Sequence, residues 1–209
     1  MGCGDLGLVW IGLGDAGVDL VPIADPEQSL PHNRYNDGKM GPDGRYWAGT
    51  MHEAEMNATG NLYAFRPDGG WSVLDGGYVV ANGPAFNGDG TIVYHTDSAA
   101  RTIYAFDLCA NGALAGKRTF VRFEEEDGFP DGMSVDGDGN LWVAMWDGGR
   151  LEMIEPTGAR RGIVELPIQR PTSCVFAEPD SQQLFVTSAR RGVQGDEPAP
   201  GGLFSVRLR

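Results

Sequence analysis

Gly137-Asp138-Gly139-Asn140-Leu141-Trp142-Val143-Ala144 couples a tight turn to a short apolar and aromatic run, and four versions of it occur along the chain. The others are Pro42-Asp43-Gly44-Arg45-Tyr46-Trp47-Ala48-Gly49, Gly88-Asp89-Gly90-Thr91-Ile92-Val93-Tyr94 and Pro179-Asp180-Ser181-Gln182-Gln183-Leu184-Phe185-Val186. Their aspartates, Asp43, Asp89, Asp138 and Asp180, are separated by 46, 49 and 42 residues. A companion run follows each copy: Gly60–Phe65, Arg101–Phe106, Gly149–Ile154 and Gly201–Val206. Several of these runs lead straight into another turn, as at Pro67-Asp68-Gly69, which marks strands joined by hairpins. A period of this size, built from short strands without helical periodicity, predicts an all-β fold, a β-propeller with one four-stranded sheet per repeat. Trp47, Tyr94, Trp142 and Phe185 hold equivalent places in the repeat, so they are expected to pack blade against blade rather than touch a ligand.

Composition agrees. Glycine supplies 32 of 209 residues and proline 13, too many helix breakers for a helical bundle. With 16 basic and 29 acidic residues the net charge is −13, which repels phosphate backbones and anionic surfaces, so neither nucleic acid nor membrane is an expected partner. No apolar run is long enough to span a bilayer, and Asp5 stands where a signal peptide would carry positive charge; a soluble, cytoplasmic protein is expected. Cys3, Cys109 and Cys174 form no C-x-x-C pair, so reduced and mostly buried thiols are expected. The pattern predicts no oligomeric state.

Three polar clusters break the repeat: Arg34-Tyr35-Asn36-Asp37-Gly38-Lys39, Ala81-Asn82-Gly83-Pro84 and Pro130-Asp131-Gly132-Met133-Ser134. Asn36, Asn82 and Asp131 each lie seven residues before their repeat aspartate, and Ser173 holds that place in the fourth copy. Asn-Gly and Asp-Gly pairs are also ordinary turn formers. In a propeller, however, equivalent places on successive innermost strands converge on the axis, where short oxygen-bearing side chains would suit calcium or another hard divalent ion.

These clusters, with Arg45-Tyr46-Trp47-Ala48-Gly49-Thr50-Met51 and the late Ser188-Ala189-Arg190, resemble the SMP-30/gluconolactonase/regucalcin family over nearly the whole chain. The resemblance implies a six-bladed propeller with one divalent metal ion on its axis, Ca²⁺ or Zn²⁺ foremost, and hydrolysis of sugar lactones. It implies metal ligation by Asn82 and Asp131, with Asp131 also the general base, and substrate binding by Arg34 and Asn36. A family glutamate just after Gly49-Thr50-Met51 would also bind substrate, and both Glu53 and Glu55 are candidates. The family's first metal ligand, a glutamate in a Gly-Glu-Ser/Gly-Pro segment, has no counterpart in these 209 residues; Gly195-Asp196-Glu197-Pro198 is only a superficial echo. The expectation is therefore a single domain over residues 1–209 with about four to five blades, lacking the first one to two, and a weakened metal site. The alternative function is a non-catalytic or degenerate calcium-binding or interaction propeller.

Rival chemistries have less support. No G-x-S-x-G or H-E-x-x-H motif accompanies His32, His52 and His95. His95 lies within a strand run and is expected to be packed, whereas His52 at a strand end is compatible with a place on the site rim. The acidic run Glu124-Glu125-Glu126-Asp127 is expected to be a solvated loop, because consecutive acids cannot all converge on one ion.

Overall fold

The computed structural model describes residues 2–4, 7–14, 17–177, 182–192 and 199–208. Among them the chain forms five antiparallel sheets, each a meander whose strands pair in sequence order. The first contains β1 (Gly2–Gly4), β2 (Gly7–Gly14) and β3 (Gly17–Ala24). The second contains β4 (Asn33–Met40), β5 (Tyr46–His52), β6 (Gly60–Phe65) and β7 (Trp71–Tyr78). The third contains β8 (Ala81–Phe86), β9 (Ile92–Asp97), β10 (Thr102–Leu108) and β11 (Leu114–Arg122). β12 (Phe129–Val135), β13 (Leu141–Trp146), β14 (Arg150–Ile154) and β15 (Arg160–Glu165) make the fourth. The fifth has β16 (Pro171–Phe176), β17 (Gln183–Ser188) and β18 (Leu203–Arg207). The leading strands β1, β4, β8, β12 and β16 are neighbours in succession, so each sheet is a propeller blade whose first strand faces the axis.

The repeat turns connect the first and second strands of the middle blades. Gly44, Gly90 and Gly139 follow the repeat aspartates with φ of 76°, 70° and 87°, a left-handed conformation that glycine adopts without a Cβ clash. In the first two turns the repeat aspartate closes the turn, Asp43 Oδ1 accepting from Arg45 N and Asp89 Oδ1 from Thr91 N, both at 3.0 Å, while in the third Asp136 Oδ1 accepts from Asn140 N at 2.8 Å. The fourth turn, at Pro179-Asp180-Ser181, lies outside the described residues, as does Gly195–Pro198.

Blade packing follows the repeat in three of its four copies. Trp47 is fully buried with Leu62, Tyr78, Val93 and Phe106, and meets Phe86 edge-on. Tyr94 packs with Met133, Leu141 and Val143 of the next blade, and Trp142 with Cys174, Leu184 and Val186 of the one after. Phe185 departs from the expectation. It is 36% exposed, beside exposed Val175 and Leu203, because no further blade among the described residues covers that face. Cys174 is buried, as expected of a thiol here, but Cys109 is exposed on the turn after β10. No helix among the described residues is long and apolar enough to cross a membrane.

The acidic run is not wholly solvated. Glu124, Glu125 and Glu126 are exposed, but Asp127 is 8% exposed and paired with Arg150 at 2.7 Å and Arg160 at 2.8 Å. The same arginines hold Glu152, which is 1% exposed, at 2.8 and 2.6 Å. Two carboxylates and two guanidinium groups thus form a compact cluster that ties the segment leading into β12 to the outer strands of its blade.

Candidate functional site

Four of the five leading strands, β4, β8, β12 and β16, break their pairing register close to the same repeat position. The shifts fall between Tyr35 and Gly38, Asn82 and Ala85, Pro130 and Met133, and Pro171 and Ser173. Bulges of this kind interrupt the ladder and re-aim side chains. Here they occur beside the residue seven places before the repeat aspartate in every copy. Asn36, Asn82, Asp131 and Ser173 consequently line one cleft of about 690 Å³. Arg34, Val80 and Phe129, each nine residues before its repeat aspartate, line it too, which is the alternation that strand geometry imposes. At the floor the blades approach closely: a Cβ on Gly132 would lie 2.4 Å from Ser173 Oγ and 2.7 Å from the Thr172 carbonyl oxygen.

A directed chain of hydrogen bonds crosses three blades. Arg34 donates to Asn36 Oδ1 at 2.9 Å, and Asn36 Nδ2 donates to Asn82 Oδ1 at 2.9 Å. Asn82 Nδ2 donates to Ser98 Oγ at 2.8 Å, and Ser98 Oγ to the Pro130 carbonyl at 2.5 Å. Each link fixes the next amide, so both asparagine oxygens have a set orientation beside Asp131.

The carboxylates carry the electrostatic signature. Withdrawal from bulk water pushes the Asp131 carboxyl well above the usual carboxylate range, and the charge of Asp37 adds to the effect. Burial also raises Asp37, against the opposing hydrogen bonds from Gly83 N at 2.9 Å and Gly38 N at 2.7 Å and the charge of Lys39. Lys39 extends across the channel and donates to the Met133 carbonyl at 2.8 Å; its ammonium is pushed below its ordinary value by burial. Two mutually repelling carboxylates and two amides line this cleft, oxygen donors of the kind a hard divalent cation takes. Such a cation would offset the repulsion that raises Asp131, so these residues fit the group in kind. Among the described residues no three His, Cys, Asp or Glu side chains gather as a metal cluster.

Arg34, Asn36, Asn82, Asp131 and Glu55 therefore meet on one cleft, whereas Glu53 faces a neighbouring hollow of about 280 Å³ with Asp25 and Glu27. Glu55 stands on the rim in a left-handed conformation, φ 56°. His52 is on neither surface: its Nδ1 accepts from Ala54 N at 3.1 Å and its ring leans on His32. His95 is fully buried, and burial depresses its pKa to about 3. Asp37 was within sequence reach as a site residue. The other copies carry Gly83, Gly132 and Cys174 in its place, so its carboxylate breaks the repeat. Arg170 and Trp146 also line the cleft, and no sequence spacing marks them out.

Comparison with known proteins places these features in a wider set. The family model described as "SMP-30/Gluconolactonase/LRE-like region" matches residues 6–190. Regucalcin of Oryctolagus cuniculus is 37% identical over 198 residues, covering 90% of this chain and 66% of its own length. The chain thus spans just under two thirds of the length of such curated relatives. The crystal structure of a calcium-binding protein, regucalcin, from Agrobacterium tumefaciens superposes with a TM-score of 0.88 at 30% identity, covering 99% of this chain and 72% of that one. A gluconolactonase from Xanthomonas campestris shares the fold, with a TM-score of 0.71 at 23% identity and coverage of 96% and 68%.

Proposed function

Because the chain belongs to the SMP-30/gluconolactonase/LRE-like family, we propose that it is a metal-dependent hydrolase that opens sugar lactones. The observation that carries this reading is the convergence of Asn36, Asn82 and Asp131 from three blades, with Asp37 beside them, on the floor of one cleft. Asn82 and Asp131 hold the ion, Ca²⁺ or Zn²⁺, in this reading. When bound, a divalent ion supplies Lewis-acid polarisation of a carbonyl and lowers the pKa of water. Arg34 and Asn36 hydrogen-bond the sugar hydroxyls and orient the ring, and Glu55 rather than Glu53 takes part from the rim. Asp131 takes the proton of the attacking water on a carboxylate oxygen and returns a proton to the ring oxygen as the acyl C–O bond breaks. The product is an open-chain hydroxy acid. A cytoplasmic location completes the proposal, supported by three unclustered cysteines.

A second reading, a calcium-binding propeller without turnover, is favoured by the description of the Agrobacterium relative as a calcium-binding protein. Hydrolysis of gluconolactone with Ca²⁺, Zn²⁺ or Mn²⁺ separates the two. The lactonase reading expects turnover with at least one ion, and a loss of about 10²- to 10⁴-fold in Asp131→Asn, the usual worth of a positioned base. Wild type, Asp131→Asn and Asn82→Ala all at the uncatalysed rate with every ion would leave only the second reading.

A further inference from the structure

Polar Arg34, Asn36 and Glu55 line the cleft, and Phe129 and Trp146 contribute aromatic rings to the same lining. Phe129 and Trp146 are directly opposed in the β12–β13 pair, so their side chains project to the same face of the blade. Both are half-buried, and each has an arginine on one ring face. The Arg101 guanidinium lies 4.2 Å from the Phe129 ring centre and donates to the Gly128 carbonyl at 3.2 Å. The Arg170 guanidinium lies 4.9 Å from the Trp146 ring centre, is paired with Asp147 at 2.6 Å and donates to the Arg191 carbonyl.

The backbone supports this arrangement at a cost. Among the described residues the non-glycine positions with positive φ are Glu55, Arg101, Asp147 and Ala199. The first lies on the polar rim, and the next two belong to the units that hold the aromatic rings. Left-handed conformations of this kind cost free energy and cluster at ligand clamps. A guanidinium over one face braces each ring by a cation–π contact, and both rings keep part of their surface exposed.

We propose that Phe129 and Trp146, backed by Arg101 and Arg170, form a stacking platform that grips a closed sugar ring and releases the opened chain. A closed ring presents a flat C–H face to the aromatic rings while its hydroxyl edge meets the polar side chains; the opened acid has no such face. This rests on the lactonase reading and adds that the cleft tells substrate from product by ring closure.

Calorimetric titration in calcium-containing buffer with methyl β-glucopyranoside as the closed-ring probe, and glucitol and gluconate as open-chain probes, tests it without turnover. Wild type should bind the closed ring more tightly than either open chain. Trp146→Ala should weaken closed-ring binding roughly three- to tenfold, the range of an aromatic stacking contact, and open-chain binding less than about twofold. Trp146→Phe should restore the preference to within about twofold. Phe129→Leu and Arg170→Gln should reduce the same ratio, and they serve if Trp146→Ala does not fold. Equal wild-type affinity for the three probes, no binding of any, or a preference untouched by the variants would overturn the platform. Turnover of gluconolactone with an unchanged preference in Trp146→Ala sinks the platform and keeps the lactonase. A Trp146-dependent preference without turnover does the reverse.

Discussion

Two groups of acids with little access to water lie in this molecule, and the protein treats them in opposite ways. Asp127 and Glu152, in the body of the fourth blade, are enclosed by the guanidinium groups of Arg150 and Arg160, and the Asp127 carboxyl is held below the usual range chiefly by Arg160. Asp131 and Asp37, in the cleft, repel one another and are both raised by loss of water, with the charge of Lys39 opposing that rise at Asp37. The first group is complete without a ligand. The second leaves charge that an external cation would balance, and that imbalance distinguishes a site from a structural ion cluster.

The sharpest way to break this contrast is to neutralise an acid of the body. Glu152→Gln leaves Arg150 and Arg160 short of a buried countercharge and should cost about 3 to 5 kcal/mol in denaturant unfolding. A loss below about 1 kcal/mol would mean that the cluster is solvated in practice. Glu27 is a milder case of the same kind. Its carboxylate accepts from Asn33, Thr50, Asn61 and Tyr63 at 2.8 to 2.9 Å, all neutral donors, so Glu27→Gln should cost about 1.5 to 3 kcal/mol.

His95 is the exception within the body, since neither ring nitrogen has a hydrogen-bond partner among the described residues and its folded pKa is about 3. Its folded value is below the unfolded one of roughly 6.5, so its stabilising contribution is intact above pH 6.5 and is lost as pH falls towards 3. Wild type should lose stability relative to His95→Leu by up to about 1.4 kcal/mol per pH unit in that window, and parallel curves would show that the ring is already hydrated or charged.

The sequence made the blades legible because the turn-plus-aromatic unit repeats, and the axial residues legible because Asn36, Asn82 and Asp131 share one register. The bulges that turn those residues inward leave no composition signal; only the recurrence of their position did. Phe185 read like Trp47 and Trp142, yet burial at that place requires a following blade, which is a property of the neighbour rather than of the segment. Asp127 read as one more acid in a solvated run because its partners lie 23 and 33 residues away on β14 and β15. The choice between Glu53 and Glu55 depended on the path of the loop after β5, where adjacent turns send the two side chains to different hollows.

The measurement that bears most directly on the central claim is the thermal unfolding of wild type and Asp131→Asn, each with and without saturating Ca²⁺ or Zn²⁺. A folded pKa above the unfolded one means that Asp131 costs stability once ionised, so the metal-free variant should melt at or above the metal-free wild type. Wild type should gain stability with the ion, as any ligand of the folded state confers, and Asp131→Asn should lose that gain. A variant that melts well below metal-free wild type, or that keeps the full metal-dependent shift, would contradict the claim that the cleft carboxylates await a cation.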